Sequence, residues 1–505
     1  MLNNVTNHQL PLSLVALLTE LATGKYTDAK SLQQLIKRFP KASSLLYSKS
    51  EILAGYRTLS ADDISKKLPR DIERLLLLKP VRTQSGVAPV TVLTKPFPCP
   101  GKCIFCPNDI RMPKSYLADE PGAQRAERNW FDPYLQTYNR LTALHAIGHE
   151  VDKVELIILG GTWSFYPEPY QIWFISECFR ALNEFGVSDG RAEVEAHYQQ
   201  VQERLKQADA YTATVDPREN KEKLREREIM GEDVTATRHY NQVISELYVA
   251  PEQKLGISQY QTASWEVLEA LQHSNEAAGH RCVGLVIETR PDCISEAEVI
   301  RIRRLGCTKA QIGFQSLQDS VLTANKRGHD VAATRRAVRL LRQAGFKIHA
   351  HWMANLYGSS VEKDIVDYSK MFSDTDFMPD ELKIYPCSLI ASAELMQHYK
   401  DGSWQPYTHD ELLHVVTECI KQTPEYCRLT RVIRDIPSTD IVVGNKLTNF
   451  RQVAERSLAE AGEQSKDIRA REIRRELFDE QALKLQVYEY STSVSTELFL
   501  QFVST

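Results

Sequence analysis

Short apolar runs alternate with amphipathic helical patterns from Val90 to Tyr385 of this 505-residue chain, and no other feature limits its fold as much. The strand-like runs are Val90 to Thr94, Val154 to Leu159, Val283 to Glu288, Ala310 to Phe314, Lys347 to Met353 and Leu382 to Tyr385. Helical periodicity lies between them, as in Ser295 to Leu305 and Val331 to Gln343. Each of these two helices is followed by a glycine, Gly306 or Gly345, as a helix C-terminus prefers. Alternating β and α units imply a parallel sheet with helices outside it. Six such strands predict an α/β chain whose centre is a partial (β/α)6 TIM-like barrel, with its chemistry at the C-terminal ends of the strands.

The flanks read differently. Leu14, Leu17, Leu18 and Leu21, then Leu32, Leu35 and Ile36, recur at helical spacing, so 1–80 is an N-terminal helical region. The barrel is expected over 81–400. It is interrupted at about 186–262 by a polar stretch containing Lys221-Glu-Lys-Leu-Arg-Glu-Arg-Glu, read as a helical insertion or mobile segment. Residues 401–486 read as a helical linker, and 487–505 as one or two strands. An isolated strand pair does not make a domain.

Hydrophobic content of 42% and charged content of 25% suit a globular protein. No apolar run is long enough to span a membrane, and no signal pattern opens the chain. Ten cysteines, most scattered singly, fit a reducing cytoplasm better than a disulfide framework. The net charge of −4 argues against a uniformly basic nucleic-acid binder. One local patch remains: Lys66, Lys67, Arg70, Arg74, Lys79 and Arg82 stand against only Asp71 and Glu73. Such a run is either a solvated helix face or a phosphate contact.

Chemistry concentrates after the first strand. Cys99, Cys103 and Cys106 lie in Lys-Pro-Phe-Pro-Cys-Pro-Gly-Lys-Cys-Ile-Phe-Cys-Pro. Three thiolates at this spacing can hold three irons of a 4Fe-4S cluster and leave the fourth iron open. An open iron can chelate the amino and carboxylate groups of S-adenosylmethionine (SAM) and cleave it to a radical. A zinc knuckle would need a fourth ligand, and no His or Cys follows until His145. A redox pair of Cys103 and Cys106 leaves Cys99 unexplained. Spacing alone leaves both alternatives open.

The later strand ends carry polar groups. Gly160, Gly161 and Thr162 would let the SAM amino group approach the backbone. Glu288 and Arg290 would suit ribose hydroxyls and a carboxylate, and Gln315 and Ser316 an adenosyl group. Asn325 to His329 forms a basic turn. His349 and His351 share a strand face and line a polar pocket, with no metal assigned to them.

Several motifs then resemble one family. They include Val81-Arg-Thr-Gln-Ser-Gly-Val-Ala-Pro, the cysteine run, Pro113-Lys-Ser-Tyr-Leu-Ala-Asp-Glu-Pro-Gly, Phe131-Asp-Pro-Tyr-Leu-Gln, Val151-Asp-Lys-Val-Glu, Ile287-Glu-Thr-Arg-Pro-Asp, Asn325-Lys-Arg-Gly-His and Arg434-Asp-Ile-Pro. Together, in this order, they resemble the catalytic subunit of Elongator and its single-chain prokaryotic relatives. The resemblance implies a radical-SAM barrel joined to an acetyltransferase (GNAT) domain. It implies carboxymethylation of carbon 5 of the wobble uridine in the tRNA anticodon loop, from acetyl-CoA and SAM. It places the cluster on Cys99, Cys103 and Cys106, an acetyl-CoA contact on Lys153, and tRNA on the patch from Lys66 to Arg82. Tyr116, Trp130 and Tyr134 become candidates to stack on a splayed base, with core packing as the alternative.

The chain also departs from that pattern. Tyr490 to Phe502 resembles the opening of the acetyltransferase domain, yet no glycine follows Gly462 to cradle a CoA pyrophosphate. The expectation is a truncated form, or a second polypeptide that supplies the domain. Ser465 stands where a cysteine is common, which with the lone Cys387 argues against an accessory zinc site. Gln311 stands where a Glu is usual, and Ala354-Asn355 replaces a Pro-containing turn. Two alternatives follow. One is another radical-SAM RNA enzyme such as a methylthiotransferase, although no second cysteine group is visible. The other is a tRNA-binding iron–sulfur remnant that cannot turn over acetyl-CoA.

Overall fold

The computed structural model describes residues 10–41, 45–62, 68, 72, 75–187, 190–214, 240–250, 257–474 and 478–504. Seven strands form one sheet: β1 (Ala88–Leu93), β2 (Lys153–Leu159), β3 (Arg281–Thr289), β4 (Lys309–Gln315), β5 (Lys347–Trp352), β6 (Glu381–Ile384) and β8 (Arg428–Arg431). They lie in that order and every pairing is parallel, which makes an open half-barrel. Period-two alternation separates its two faces. Val90, Val92, Leu156, Ile158, Leu285, Ile287, Ile312, Phe314, Ile348, Trp352, Leu382 and Ile384 are buried in one core beneath the wall helices. The alternate positions face the lumen and are largely polar. Wall helices start at capping side chains, among them Asp132, Ser295, Asp330, Ser360 and Thr408. Gly306 and Gly345 end two of them with φ of +95° and +74°.

The expected six strands are corrected to seven. The added β8 falls inside 401–486, which the sequence reads as helical. Leu429 is its only fully buried residue, so an edge strand of four residues leaves almost no apolar pattern to detect. That region also contains the helices His409–Gln422 and Phe450–Glu460, and β9 (Ile441–Val443), which pairs antiparallel with β7 (Leu389–Ile390).

Before the barrel, α1 (Leu12–Leu21), α2 (Ala29–Arg38) and α3 (Lys49–Asp62) enclose a separate small core containing all seven leucine and isoleucine positions noted above. Arg57 Nη1 ties this bundle to the barrel by donating to the His145 carbonyl at 2.5 Å. Within the insertion, a helix spans Arg191–Thr214, while Lys221 to Glu228 lie outside the described residues. At the other end β10 (Leu483–Ser491) and β11 (Thr496–Ser504) form an antiparallel hairpin. Tyr490 stacks on Tyr426 at 3.8 Å, and Glu497 pairs with Arg342 at 3.3 Å. Leu485, Val487, Leu498, Leu500 and Phe502 stay exposed on the hairpin. Among the described residues no helix is long and apolar enough to cross a membrane.

Candidate active site at the barrel mouth

The loop after β1 carries the three cysteines across the C-terminal ends of β2, β3 and β4. Its backbone is fastened at several points. Asn241 accepts from Cys99 N at 2.9 Å and donates to Cys99 O at 2.8 Å. Ile104 N donates to Asn325 O at 3.2 Å, and Ile104 O accepts from Leu395 N at 2.8 Å. Ile104 is fully buried, with Phe105 packed beside it. Asn241 belongs to the stretch set aside as an insertion, and no sequence signal marks its role. The chain returns there to clamp the cysteine loop, and Tyr240 donates to Met112 O at 2.8 Å.

Two arginines meet the loop from below. Arg327 Nη1 lies 3.3 Å from Cys103 Sγ, and Arg290 Nη1 lies 3.9 Å from it. Both are nearly fully buried. Arg290 turns Nε to Asp292 at 2.9 Å and Nη2 to Arg327 O at 2.5 Å, so Nη1 alone points at the cysteines. A Cβ on Gly101 would lie 2.4 Å from that Nη1, so a side chain there would displace the guanidinium from the cysteines. The Cys106 thiol hydrogen-bonds to Cys103 and favours the Cys103 thiolate; Arg327 and Arg290 add to this against burial, and Cys103 is held well below the usual thiol range. Burial disfavours the Asp292 carboxylate, but His329 3.6 Å away and the hydrogen bonds and charge of Arg290 keep it below its ordinary range.

The other predicted groups divide. Thr162 Oγ1 lies 3.5 Å from Cys99 Sγ. Gly160 and Gly161 have φ of +128° and +56°. The space at Gly160 is taken by Thr94, whose Oγ1 would sit 2.0 Å from an added Cβ. Glu288 accepts from the Tyr116 hydroxyl at 2.8 Å, so Tyr116 is at the mouth. Gln315 has φ of +68° and lies back over Gly313 at a register shift in β4. That turn breaks the strand alternation and sends Ser316 outward, where it donates to Asp367 at 3.0 Å. The expected adenosyl contact at Ser316 is therefore corrected: its hydroxyl is buried and committed to the wall. Lys153 opens β2 at the opposite edge of the sheet from Gly160, exposed and paired in register with Arg281. Tyr134 donates to Glu184 at 2.7 Å and, with Trp130, packs in a cluster under the Arg191–Thr214 helix rather than at the mouth. Asn355 takes φ of +61° in the turn after β5, a conformation asparagine tolerates, and Tyr407 N donates to its Oδ1 at 2.8 Å.

Lys66, Lys67, Arg70 and Arg74 lie outside the described residues. Lys79 and Arg82 are exposed beside β1. The sequence reading missed two neighbours. Burial and the charges of Arg125 and Arg82 depress Arg140 to about 10, and burial followed by Arg82 lowers Arg125. No described carboxylate forms an ion pair with Arg82, Arg125 or Arg140, so the three make a cationic strip along the β1 edge.

The site fits an iron–sulfur cluster. Among the described residues no His, Cys, Asp or Glu trio converges on one metal ion. A cluster needs no such convergence, since each thiolate takes its own iron. Buried N–H donors aimed at a cysteine sulfur are the surroundings such ligands require.

The Radical_SAM C-terminal domain model matches residues 379–460. The tRNA uridine(34) acetyltransferase of Methanocaldococcus infernus is 34% identical over 506 residues, covering 96% of this chain and 78% of the relative. The protein of the same name from Methanocaldococcus jannaschii is 32% identical over 501 residues, covering 96% and 77%. A solved Methanocaldococcus infernus Elp3 with an N-terminal deletion superposes with a TM-score of 0.59 at 30% identity, covering 83% of this chain and 75% of that one. With a cysteine-bearing loop over a parallel half-barrel and similarity along nearly its whole length, the chain belongs to the Elp3 family of tRNA uridine(34) acetyltransferases.

Proposed function

We propose that this protein is a radical-SAM enzyme that modifies the wobble uridine of tRNA, forming 5-carboxymethyluridine with acetyl-CoA as co-substrate. The observation that carries the reading is the Cys99–Cys106 loop held over the strand ends with Arg290 and Arg327 aimed at Cys103. Cys99, Cys103 and Cys106 would hold a 4Fe-4S cluster. When bound, such a cluster supplies the electron that cleaves SAM to a deoxyadenosyl radical.

The remaining work belongs to this chain's residues. Gly161 leaves backbone bare of side chains where a ligand's amino group can approach, while Gly160 makes room for Thr94 beside it. Glu288, oriented by Tyr116, faces the same space as an acceptor for hydroxyls. Arg327 and Arg290 offset negative charge on the cysteine sulfurs. The β1-edge arginines would meet the RNA backbone, and the open mouth would receive a base splayed from its stack. We read β10–β11 as the opening of an acetyltransferase sheet, whose exposed apolar side chains a further layer of that domain would cover.

Anaerobic reconstitution with iron and sulfide, followed by SAM, reductant, acetyl-CoA and tRNA, tests the reading. Deoxyadenosine together with carboxymethylated uridine supports it. Deoxyadenosine without modified uridine would leave only a SAM-cleaving, tRNA-binding protein.

A further inference from the structure

Two layers of polar side chains stack inside the half-barrel. The lower layer is closed. Lys309 lies 2.8 Å from Glu155 and 3.0 Å from Glu381; His349 Nδ1 is 3.3 Å from Glu381, and His349 Nε2 is 2.8 Å from Thr430 Oγ1. Its charges face their opposites.

The upper layer, nearer the mouth, consists of Glu288, Gln311, His351 and Lys383, and it does not close. Lys383 Nζ donates to Gln311 Oε1 at 2.7 Å, and no described carboxylate stands within ion-pair distance of it. Glu288 accepts from Tyr116 at 2.8 Å and sits 3.6 Å from His351 Nδ1. An ammonium only donates, so Lys383 fixes the amide with its oxygen inward. That oxygen is also 3.0 Å from His351 Nε2, which must therefore carry the proton. Burial, reinforced by Lys383 and nearby arginines, keeps His351 neutral. A neutral imidazole and a neutral amide leave the lysine charge uncompensated at close range.

More positive charge gathers on that side. Arg431 is the register partner of Lys383 across β6 and β8. Its guanidinium reaches the rim, where Asp435 lies 3.1 Å away and largely exposed. The Tyr385 ring is 6.0 Å from Lys383 Nζ, and Arg431 and Arg434 both act on its hydroxyl. Arg434 itself is paired with Glu120 at 2.6 Å. A half-buried cation without a close counterion is costly, and such groups mark places where a ligand brings the opposite charge.

We propose that Lys383, with Arg431 and the Tyr385 hydroxyl, is a receptor for a substrate oxyanion on the β6–β8 side of the mouth, apart from the cysteine loop. This inference rests on the tRNA-modifying reading. There the oxyanion has two sources of shared chemistry: a phosphate of the inserted nucleotide, or the carboxylate of a carboxymethyl group on its base.

Calorimetric titration of the whole protein with uridine, uridine 5′-monophosphate and 5-carboxymethyluridine tests the receptor. Wild type is expected to bind one anionic probe at least about tenfold more tightly than uridine. Preference for the monophosphate assigns the phosphate, and preference for 5-carboxymethyluridine assigns the carboxylate. In Lys383→Met and in Gln311→Glu the preference falls to within about twofold. Gln311→Glu keeps the lysine and gives it an internal carboxylate, so its effect reports charge compensation rather than lost structure; melting curves verify that both variants fold. Equal affinity for all three probes in wild type, or a preference that survives both variants, overturns the receptor. The parent reading is scored separately, by deoxyadenosine and modified uridine from wild type. Its failure leaves the binding result intact, and the reverse also holds.

Discussion

Arg327 Nη1 stands 3.3 Å from Cys103 Sγ, although 224 residues separate the two in sequence. The turn after the helix Asp319–Ala324, which follows β4, delivers this guanidinium, and its other arm donates to Gly313 O at 2.9 Å. A hydrogen bond from a charged donor contributes about 1.5–3 kcal/mol. Arg327→Gln should therefore lower the rate of deoxyadenosine formation about tenfold or more, with partial recovery in Arg327→Lys. In metal-free protein the alkylation of Cys103 should shift to higher pH, because the arginine favours the thiolate. An unchanged alkylation profile would mean that the contact does not act on the sulfur.

Gly160→Ala should be severely destabilising. The position combines φ of +128° with a Cβ site 2.0 Å from Thr94 Oγ1, so strain and overlap add. A loss of about 2–4 kcal/mol is expected, read as a drop in Tm of roughly 5–10 °C. Gly86→Ala is the comparison: φ is +77° but nothing lies within 4 Å, leaving only the conformational cost of about 1 kcal/mol. Equal melting of the two variants would contradict the overlap at Gly160.

Arg125→Gln and Arg140→Gln should each weaken tRNA binding and reduce the slope of log affinity against log salt by about one phosphate contact. Stability should hold or rise slightly, since the arginines repel one another. Lower stability with an unchanged salt slope would make them structural instead.

Lys383→Met should stabilise the protein at neutral pH. Burial brings the ammonium down to about 8 from 10.5, against the attraction of Glu288. Below pH 8 the folded state carries the whole cost of the charged group. Between 8 and 10.5 the unfolded chain holds more protons, so wild-type stability recovers as pH rises. The variant's advantage should be up to about 3 kcal/mol at pH 7 and vanish near pH 10.5. An advantage that does not change with pH would point to packing alone.

Local pattern carried much of this molecule. Alternation of apolar runs defines β1 to β6, leucine spacing defines α1 and α2, and glycines mark helix ends, because these depend on residues a few positions apart. The cysteine spacing likewise resides in a single loop. The strand-end motifs put Glu288, Arg290 and the glycine pair at the C-terminal ends of β2 and β3, since each lies at or just past the last residues of its strand.

What tertiary structure decided involves partners far apart in the chain. β8 exists because β6 offers it an edge, although Arg428 to Arg431 has little strand pattern of its own. Ser316 turns to the wall because Gln315 adopts a left-handed conformation. Asn241 returns from the insertion to hold Cys99. Lys383 reads as one polar residue of an alternating strand; only the assembled half-barrel shows that it faces an amide while Lys309, one layer below, faces two carboxylates. Periodicity tells which face a side chain takes, but the charge that it meets there is set by long-range strand pairing, which no local run of residues encodes.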